Sequence, residues 1–530
     1  MKSIASYKQA TLADDWDGIV IGSGPGGLST AAMMAKEGRR ILVLEQHYVA
    51  GGFTHIFKRK GYEWDVGLHY IGEVQSERSM IRRMFDYVSD ASIEWADMGE
   101  VYDRICFGDR EYPLYKGIDA FKDGLKSHFP DEAKAIDAYV DLVIDCQRAA
   151  RGFFVDKAIP PALSTLSAGM IGRKFKKYAS RTTLEVIGEL TRNKQLIAVL
   201  CGQWGDYGLP PSQSSFGMHA MVVRHYLRGG AYPVGGASVI ADRIAPIIQA
   251  AGGQVVTKAE VVRIDVEGGR AVGVTMADGR SFRAGWVCSG AGYINTVEHL
   301  LSPEDAQRAG MALQAKRVPR SMSHVCAYLG FKQSSEALRV PKANYWLYTD
   351  DYDHDSVVER FLADRTQRLP VTYISFPSAK DPDWERRYPG RSTVELITLA
   401  PFEWFAQWDG TRWMKRGDDY LALKAEFSER LLSELYRVEP QLEGEVDHCE
   451  ISTPLSTAWF SGYRRGEIHG LSHSPERFAQ RHLRPHTPIK GLFLTGQDIA
   501  TAGIGGALAA GVLTASAITS RNMMSRVMAG

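Results

Sequence analysis

The chain is poor in the features that would make it a metal, disulfide or nucleic-acid-binding protein. It has six cysteines in 530 residues: Cys106, Cys146, Cys201, Cys288, Cys326 and Cys449. They lie far apart and none forms a CxxC pair, so neither a zinc site nor a disulfide framework is expected. Excess charge is also missing. With 63 basic and 62 acidic side chains, the formal charge of +1 gives no electrostatic footprint for nucleic acid. The opening residues, "MKSIASYKQATLADDWD", contain no apolar h-region, so a secretory signal is not expected. A reducing, cytoplasmic setting fits the cysteine usage. No repeats or low-complexity tracts occur. Residues 499–520, "IATAGIGGALAAGVLTASAITS", are uncharged and long enough for a bilayer span. Their four glycines, three threonines and two serines make them only weakly apolar, so a buried helix of small residues is expected.

What is present is an ordinary globular composition, 45% hydrophobic and 24% charged, in a chain long enough for two or more domains. "DGIVIGSGPGGLSTAAMMAKEGRRILVLE" reads as strand, glycine turn, helix and strand: a βαβ unit with strands over 19–21 and 41–44. Gly22, Gly24 and Gly27 complete a GxGxxG in that context. The first permits the tight turn, the second lets backbone approach a pyrophosphate, and the third lets helix pack on strand. Glu45 ends the next strand, where a carboxylate can accept hydrogen bonds from a ribose hydroxyl. A glycine loop with a solvated strand-end Glu45 is the alternative. A second α/β stretch covers 230–292, with turns at Gly268-Gly269 and Asp278-Gly279, and "GLFLTGQDIATAGIGG" supplies a last strand-to-helix turn.

The choice between NAD and FAD rests on three features. Gly51-Gly52 offers a second close approach of backbone. No other GxGxxG follows an apolar strand. "LTGQD" places Gly496 and Asp498 between a strand and a glycine-rich helix start, a turn suited to a ribityl chain and the electron-rich edge of a flavin. FAD is the reading. The blocks "VIGSGPGGLSTAAMMAKEGRRILVLEQHYVAGG", "DVGLHYIG", "AYPVGGASVIADRIAPIIQAAGGQVVTKAEV" and "TPIKGLFLTGQDIATAGIGGAL" resemble the FAD-dependent phytoene desaturase, carotenoid isomerase and retinol saturase family, amine-oxidase-like flavoproteins. "GLHYIG" and "LTGQDI" are most similar to its saturase branch. The resemblance implies an α/β fold with a Rossmann-like FAD-binding domain over 15–95, 220–300 and 480–525. An α+β substrate-binding domain is inserted as 96–219 and 301–479. It also implies an adenine contact by the backbone of Val261, and a flavin contact by Gly505, Gly506 and Ala507.

Polar chemistry gathers in "DVGLHYIGEV" (65–74). By the resemblance this segment runs along the flavin, with His69 and Tyr70 facing the substrate. Reducing a double bond needs a proton donor there, and histidine is suited to that role; a purely structural His69 is the alternative. "CGQWGDYGLPPSQSSFGMHA" (201–220) offers Trp204, Tyr207, Met218 and His219 as pocket residues, or else a structural loop. "GYRRGEIHGL" adds His469, while its arginines fit a surface equally well. Residues 153–181 join an apolar run to Arg173, Lys174, Lys176, Lys177 and Arg181. This is either a lipid-facing patch or, more simply, a solvated charge run beside a core helix. The expected function is an FAD-dependent oxidoreductase acting on C=C or CH–CH bonds of a hydrophobic polyene or isoprenoid lipid, with saturation of retinol type favoured. Desaturation, cis–trans isomerisation and fatty-acyl desaturation remain alternatives, as does a non-enzymatic prenyl-binding protein of the same fold. Contact with a membrane surface follows from so insoluble a substrate, and the electron donor is left open.

Overall fold

The computed structural model of the protein describes residues 3–161, 164 and 172–529. Strands Gly18–Ile21 and Ile41–Leu44 are fully buried, as their unbroken apolar runs require of a sheet covered on both faces. They form the middle of a six-stranded parallel sheet. Its order is Ile4–Ser6, Gln254–Thr257, Ile41–Leu44, Gly18–Ile21, Val287–Ser289, Leu492–Leu494. The glycine pair 268–269 and the Asp278-Gly279 turn join the antiparallel strands Val261–Glu267, Arg270–Met276 and Ser281–Ala284. Within these two sheets, two short strands escape the sequence reading, as do the strands of the segments 95–220 and 300–480. Ile4–Ser6 extends the parallel sheet, and Asp15–Trp16 pairs with Ser281–Ala284. Strands of two or three residues are too short to show a periodicity.

Helix Pro25–Lys36 packs against helix Gly503–Thr519. A Cβ on Gly511 would lie 2.5 Å from the Cβ of Ser29. The small residues of 499–520 therefore serve a close helix–helix contact inside the protein, with Leu508, Ala510, Val512 and Ala515 buried. Among the described residues no helix is long and apolar enough to cross a membrane.

The second large sheet has seven strands in the order Arg110–Tyr115, Val101–Phe107, Asn344–Tyr348, Thr372–Ser375, Ser392–Leu399, His324–Phe331, Val446–Ser452. Only the Val101–Phe107 and Asn344–Tyr348 pair is parallel. The segment 62–74 links the seven-stranded sheet to a separate sheet of three strands, Ile71–Gly72, Gly230–Pro233 and Trp95–Asp97. Trp64 Nε1 donates to the carbonyl of Leu329 at 2.8 Å, and the Asp65 amide donates to Glu395 Oε1 at 2.7 Å. A few residues on, Ile71–Gly72 pairs with Gly230–Pro233. That crossing places the polar segment of the sequence between the sheets.

Part of the run 153–181 is core, while Val155 is 55% exposed. Phe153 and Phe175 pack on each other, with ring centroids 4.9 Å apart, and both meet Phe478. Lys157 is buried, its Nζ donating to the carbonyls of Leu483 and Ile499. Lys174 pairs with Asp145 at 2.6 Å, and Arg173 and Lys177 are exposed. Residues 162–163 and 165–171 of that run lie outside the described residues.

Candidate active site

The strand Gly18–Ile21 ends at Gly22, whose φ of +90° lies in the region glycine tolerates, and whose amide donates to Leu44 O at 2.8 Å. Helix Pro25–Lys36 begins three residues later, with Gly24 in extended geometry at its N-cap. The glycines of this turn are not interchangeable. A Cβ on Gly27 would sit 2.1 Å from Gly22 O, and one on Gly26 2.7 Å from Gly496 Cα. At Gly24 a Cβ would meet nothing within 4 Å, and the same holds at Gly496 and Gly503. Backbone and helix ends thus face open space where phosphates would lie. That open cradle fits a dinucleotide.

Glu45 is buried behind the cradle. Its Oε2 accepts from the Ser23 amide at 2.8 Å and from Ser23 Oγ at 2.6 Å, and its Oε1 accepts from the His47 amide at 2.8 Å. A carboxylate has about four acceptor positions, so one remains for a ribose hydroxyl. The Gly51 amide donates to Ser23 Oγ at 3.0 Å, tying the second glycine pair to the first, and Gly52 touches Gly24.

From this cradle a cavity of about 2680 Å³ runs toward the seven-stranded sheet. It is several times larger than the roughly 300–1,000 Å³ of an ordinary small-molecule pocket, and so has room for a dinucleotide and a long substrate together. Gly22, Gly24, Gly27, Glu45, Gly52, Val261, Gly496, Gly505, Gly506 and Ala507 line one part. His69, Tyr70, Trp204, Met218 and His469 line another.

Four residues expected at the site do not line it. The side chain of Asp498 turns into the protein, where Oδ2 accepts from the Tyr293 amide at 2.7 Å and Oδ1 from the Leu471 amide at 2.9 Å. It braces the turn that carries Gly496. Gly51 acts through its hydrogen bond to Ser23. Tyr207 and His219, expected in the pocket wall, instead form a buried chain. Tyr139 and His219 Nε2 are 2.7 Å apart, and Tyr207 and His219 Nδ1 3.1 Å apart. Burial holds His219 near 3, so it stays neutral. The loop 201–220 is therefore part wall and part framework.

Around His69 and Tyr70 the cavity wall is densely polar. The Tyr70 hydroxyl donates to Asp103 Oδ2 at 2.8 Å, with Asp206 Oδ2 at 3.3 Å, and its ring stacks on Tyr226 at 4.2 Å. Burial first, then the charges of Asp103 and Asp206, push the Tyr70 phenol well above its usual range, so it keeps its proton. His69 Nδ1 lies 2.7 Å from Glu395 Oε2. Burial lowers the His69 imidazole to about 4, and the same cause raises Glu395 and Asp65 each to about 8. Lys380 Nζ holds the His69 carbonyl at 3.0 Å and Ser375 Oγ at 2.7 Å, and also bonds Asn344 Oδ1. The sequence reading missed Glu395, Lys380 and Asp103. One signal was available: Glu395 is the lone acid in the apolar strand "STVELITL". Lys380, in "PSAKDPD", carried none.

Comparison with known proteins adds to this geometry. The sequence model described as flavin containing amine oxidoreductase matches residues 25–519. The all-trans-retinol 13,14-reductase of Homo sapiens is 38% identical over 98% of this chain and 88% of its own length. Prolycopene isomerase of Arabidopsis thaliana is 25% identical over 93% of this chain and 82% of its own. Among solved structures, an oxidoreductase from Methanosarcina mazei superposes with a TM-score of 0.63 at 17% identity, covering 95% of this chain and all of its own, and shows the shared fold. The chain therefore belongs to the flavin-containing amine oxidoreductase family and is an FAD-dependent oxidoreductase.

Proposed function

We propose that the protein saturates one double bond of a retinoid or similar polyene alcohol. The observation that carries this reading is the 38% identity to a retinol 13,14-reductase across nearly the whole chain. The long cavity running from the glycine cradle to the His69 and Tyr70 wall supports it. The chain works as two units, an FAD-binding one built on the parallel sheet and a substrate-binding one built on the seven-stranded sheet. Gly22, Gly24 and Gly27 cradle the cofactor's phosphates, Glu45 holds ribose, Val261 lies at adenine, and Gly505, Gly506 and Ala507 meet the flavin. Bound reduced FAD supplies a hydride equivalent to one carbon of the double bond.

The protein's own share is binding, exclusion of water and delivery of a proton to the neighbouring carbon. Tyr70, Tyr226, Trp346 and Tyr373 offer an aromatic wall to a flat conjugated chain. His69 hands over the proton. The test is anaerobic incubation of dithionite-reduced holoprotein with all-trans-retinol, following flavin reoxidation and product mass together. A product heavier by two hydrogens supports saturation. Flavin that stays reduced and retinol that stays intact would refute it. The second reading, isomerisation, draws on the similarity to prolycopene isomerase and predicts a product of unchanged mass.

An insoluble substrate needs a route from lipid. Met414, Leu421, Trp459 and Tyr48 are exposed, at 78%, 58%, 56% and 45%, and all line the cavity beside Lys415, Arg416, Lys424 and Arg464. The acids Asp409, Asp418 and Glu450 line the same cavity, so apolar contact carries most of the fit to a bilayer surface, with the basic side chains adding to it. We take this rim as a place where the protein rests on a membrane; Val155 of the run 153–181, 55% exposed, lines the same cavity.

A further inference from the structure

Neutral His69 cannot give up a proton repeatedly unless another group replaces it. The structure assigns that group. We propose that Glu395 stores the proton that His69 delivers to the substrate, and that Lys380 steadies the carboxylate left behind. This rests on the saturase reading above.

Glu395 sits inside the seven-stranded sheet with its side chain wholly buried, opposite Tyr328 in one neighbouring strand and Ser375 in the other. Its two oxygens face different partners. Oε1 accepts from the Asp65 amide at 2.7 Å, and Oε2 lies 2.7 Å from His69 Nδ1. The His69 ring lines the cavity, but Glu395 does not. The imidazole therefore stands between Oε2 and the cavity.

His69 Nδ1 and Glu395 Oε2 lie 2.7 Å apart without hydrogen-bond alignment; both are buried and neither has another partner, so a proton shared between them after a small ring rotation would satisfy both. A charged pair, imidazolium with carboxylate, is disfavoured here because burial penalises both ions. Burial holds His69 near 4 and raises Glu395 to about 8, so the neutral pair prevails at pH 7. The acid proton then points at Nδ1, which fixes the tautomer with N–H at Nε2, the end free to face the cavity.

The groups facing Glu395 come from four directions. They are Asp65, bonded in turn by the Tyr232 hydroxyl at 2.5 Å; His69; Lys380, whose charge lowers Glu395; and Tyr328 with Cys326. Asp65 is also raised to about 8, and each acid's charge disfavours ionisation of the other, so the pair retains a proton at neutrality.

The step balances. As the hydride equivalent reaches one alkene carbon, the Nε2–H bond of His69 breaks and a C–H bond forms at the neighbour. Nδ1 takes the proton from Glu395, and Glu395 ends as a carboxylate facing Lys380, whose amine burial lowers to about 7 and whose protonated form the new negative charge favours. The substrate gains two hydrogens and two electrons, the flavin loses two electrons, and water entering after product release returns the proton by the same path.

The pH sign follows. Glu395 is active when protonated, so the chemical step should hold its rate below about pH 8 and fall above it. The test uses FAD-loaded, dithionite-reduced enzyme mixed with all-trans-retinol at a series of pH values. Glu395→Gln should slow the step about 100- to 10,000-fold and abolish the alkaline limb. Lys380→Gln, which keeps hydrogen-bond donors, should move that limb to higher pH. A structural role for either residue would leave the limb where it is.

A second readout needs no turnover. The infrared difference spectrum of oxidised holoprotein at pH 7, wild type minus Glu395→Gln, should show one carbonyl stretch of a protonated carboxylic acid, over the bands of Asp65 and Asp206, whose carboxyls burial also raises. If that difference band is absent, the proposal falls whatever the substrate. If the band is present and Glu395-dependent but retinol does not react, the substrate reading fails and the proton store stands.

Discussion

Gly24→Ala separates cofactor binding from folding. Gly24 has φ −62° and ψ 169°, backbone that alanine adopts without strain, and an added Cβ would touch nothing within 4 Å. The substitution removes chain entropy from the unfolded state and should stabilise the apoprotein by about 0.4–1 kcal/mol. The same methyl would stand in the space assigned to the pyrophosphate. Losing a hydrogen bond to a charged group there costs roughly 1.5–3 kcal/mol, about ten- to a hundredfold in affinity. Wild-type protein with FAD at a hundred times its Kd gains about 2.7 kcal/mol of stability, and at the same concentration the variant should gain little. Thermal melting with and without FAD, plus a fluorescence titration of FAD, measures both effects. The expected result is an apoprotein that melts no lower than wild type and a cofactor that binds poorly. Gly27→Ala is the contrast. Its methyl would lie 2.1 Å from Gly22 O, backbone against backbone, and should lower the apoprotein's melting temperature. If Gly24→Ala binds FAD like wild type, the phosphates are not at this turn. If its apoprotein is clearly destabilised, the account of the turn is wrong.

Glu45→Ala should weaken FAD by roughly 1.5–3 kcal/mol while leaving turnover at saturating FAD intact, because ribose is far from the reacting ring; equilibrium dialysis and steady-state rates decide this. Asp498→Ala should strip two buried amides, those of Tyr293 and Leu471, of their acceptor and destabilise the apoprotein by about 1–3 kcal/mol for each. Asp498→Asn, which keeps one acceptor, should lose less. If the apoprotein melts normally and only FAD binding suffers, Asp498 faces the cofactor after all. Vesicle sedimentation should show binding to anionic more than neutral lipid, weakened by salt, with Trp459→Ser and Lys415→Gln together reducing it several-fold. Equal binding to both lipids would remove the basic rim from consideration.

The sequence alone carried what is local and periodic. The strands 18–21 and 41–44, the glycine turn and Glu45 lie within thirty residues, and steric demands link them, so their spacing is diagnostic by itself. The close-packed helix Gly503–Thr519 was legible in its small residues. Residues 65–74 were marked as a site because polar side chains stood where apolar ones were expected. What tertiary structure decided is what those side chains meet. His69 finds Glu395 326 positions away (395 − 69), and Lys380 Nζ reaches the His69 carbonyl. No pattern in either stretch encodes that meeting, because register between distant strands is set by packing of the whole sheet. Protonation was decided the same way. A histidine and a glutamate read from sequence carry their ordinary titration ranges, and only burial between two sheets reverses which one holds the proton. Asp498 shows the converse: its position after a strand was correctly read, but the direction of its carboxylate depended on two amides, at Tyr293 and Leu471, that only the folded chain brings to it.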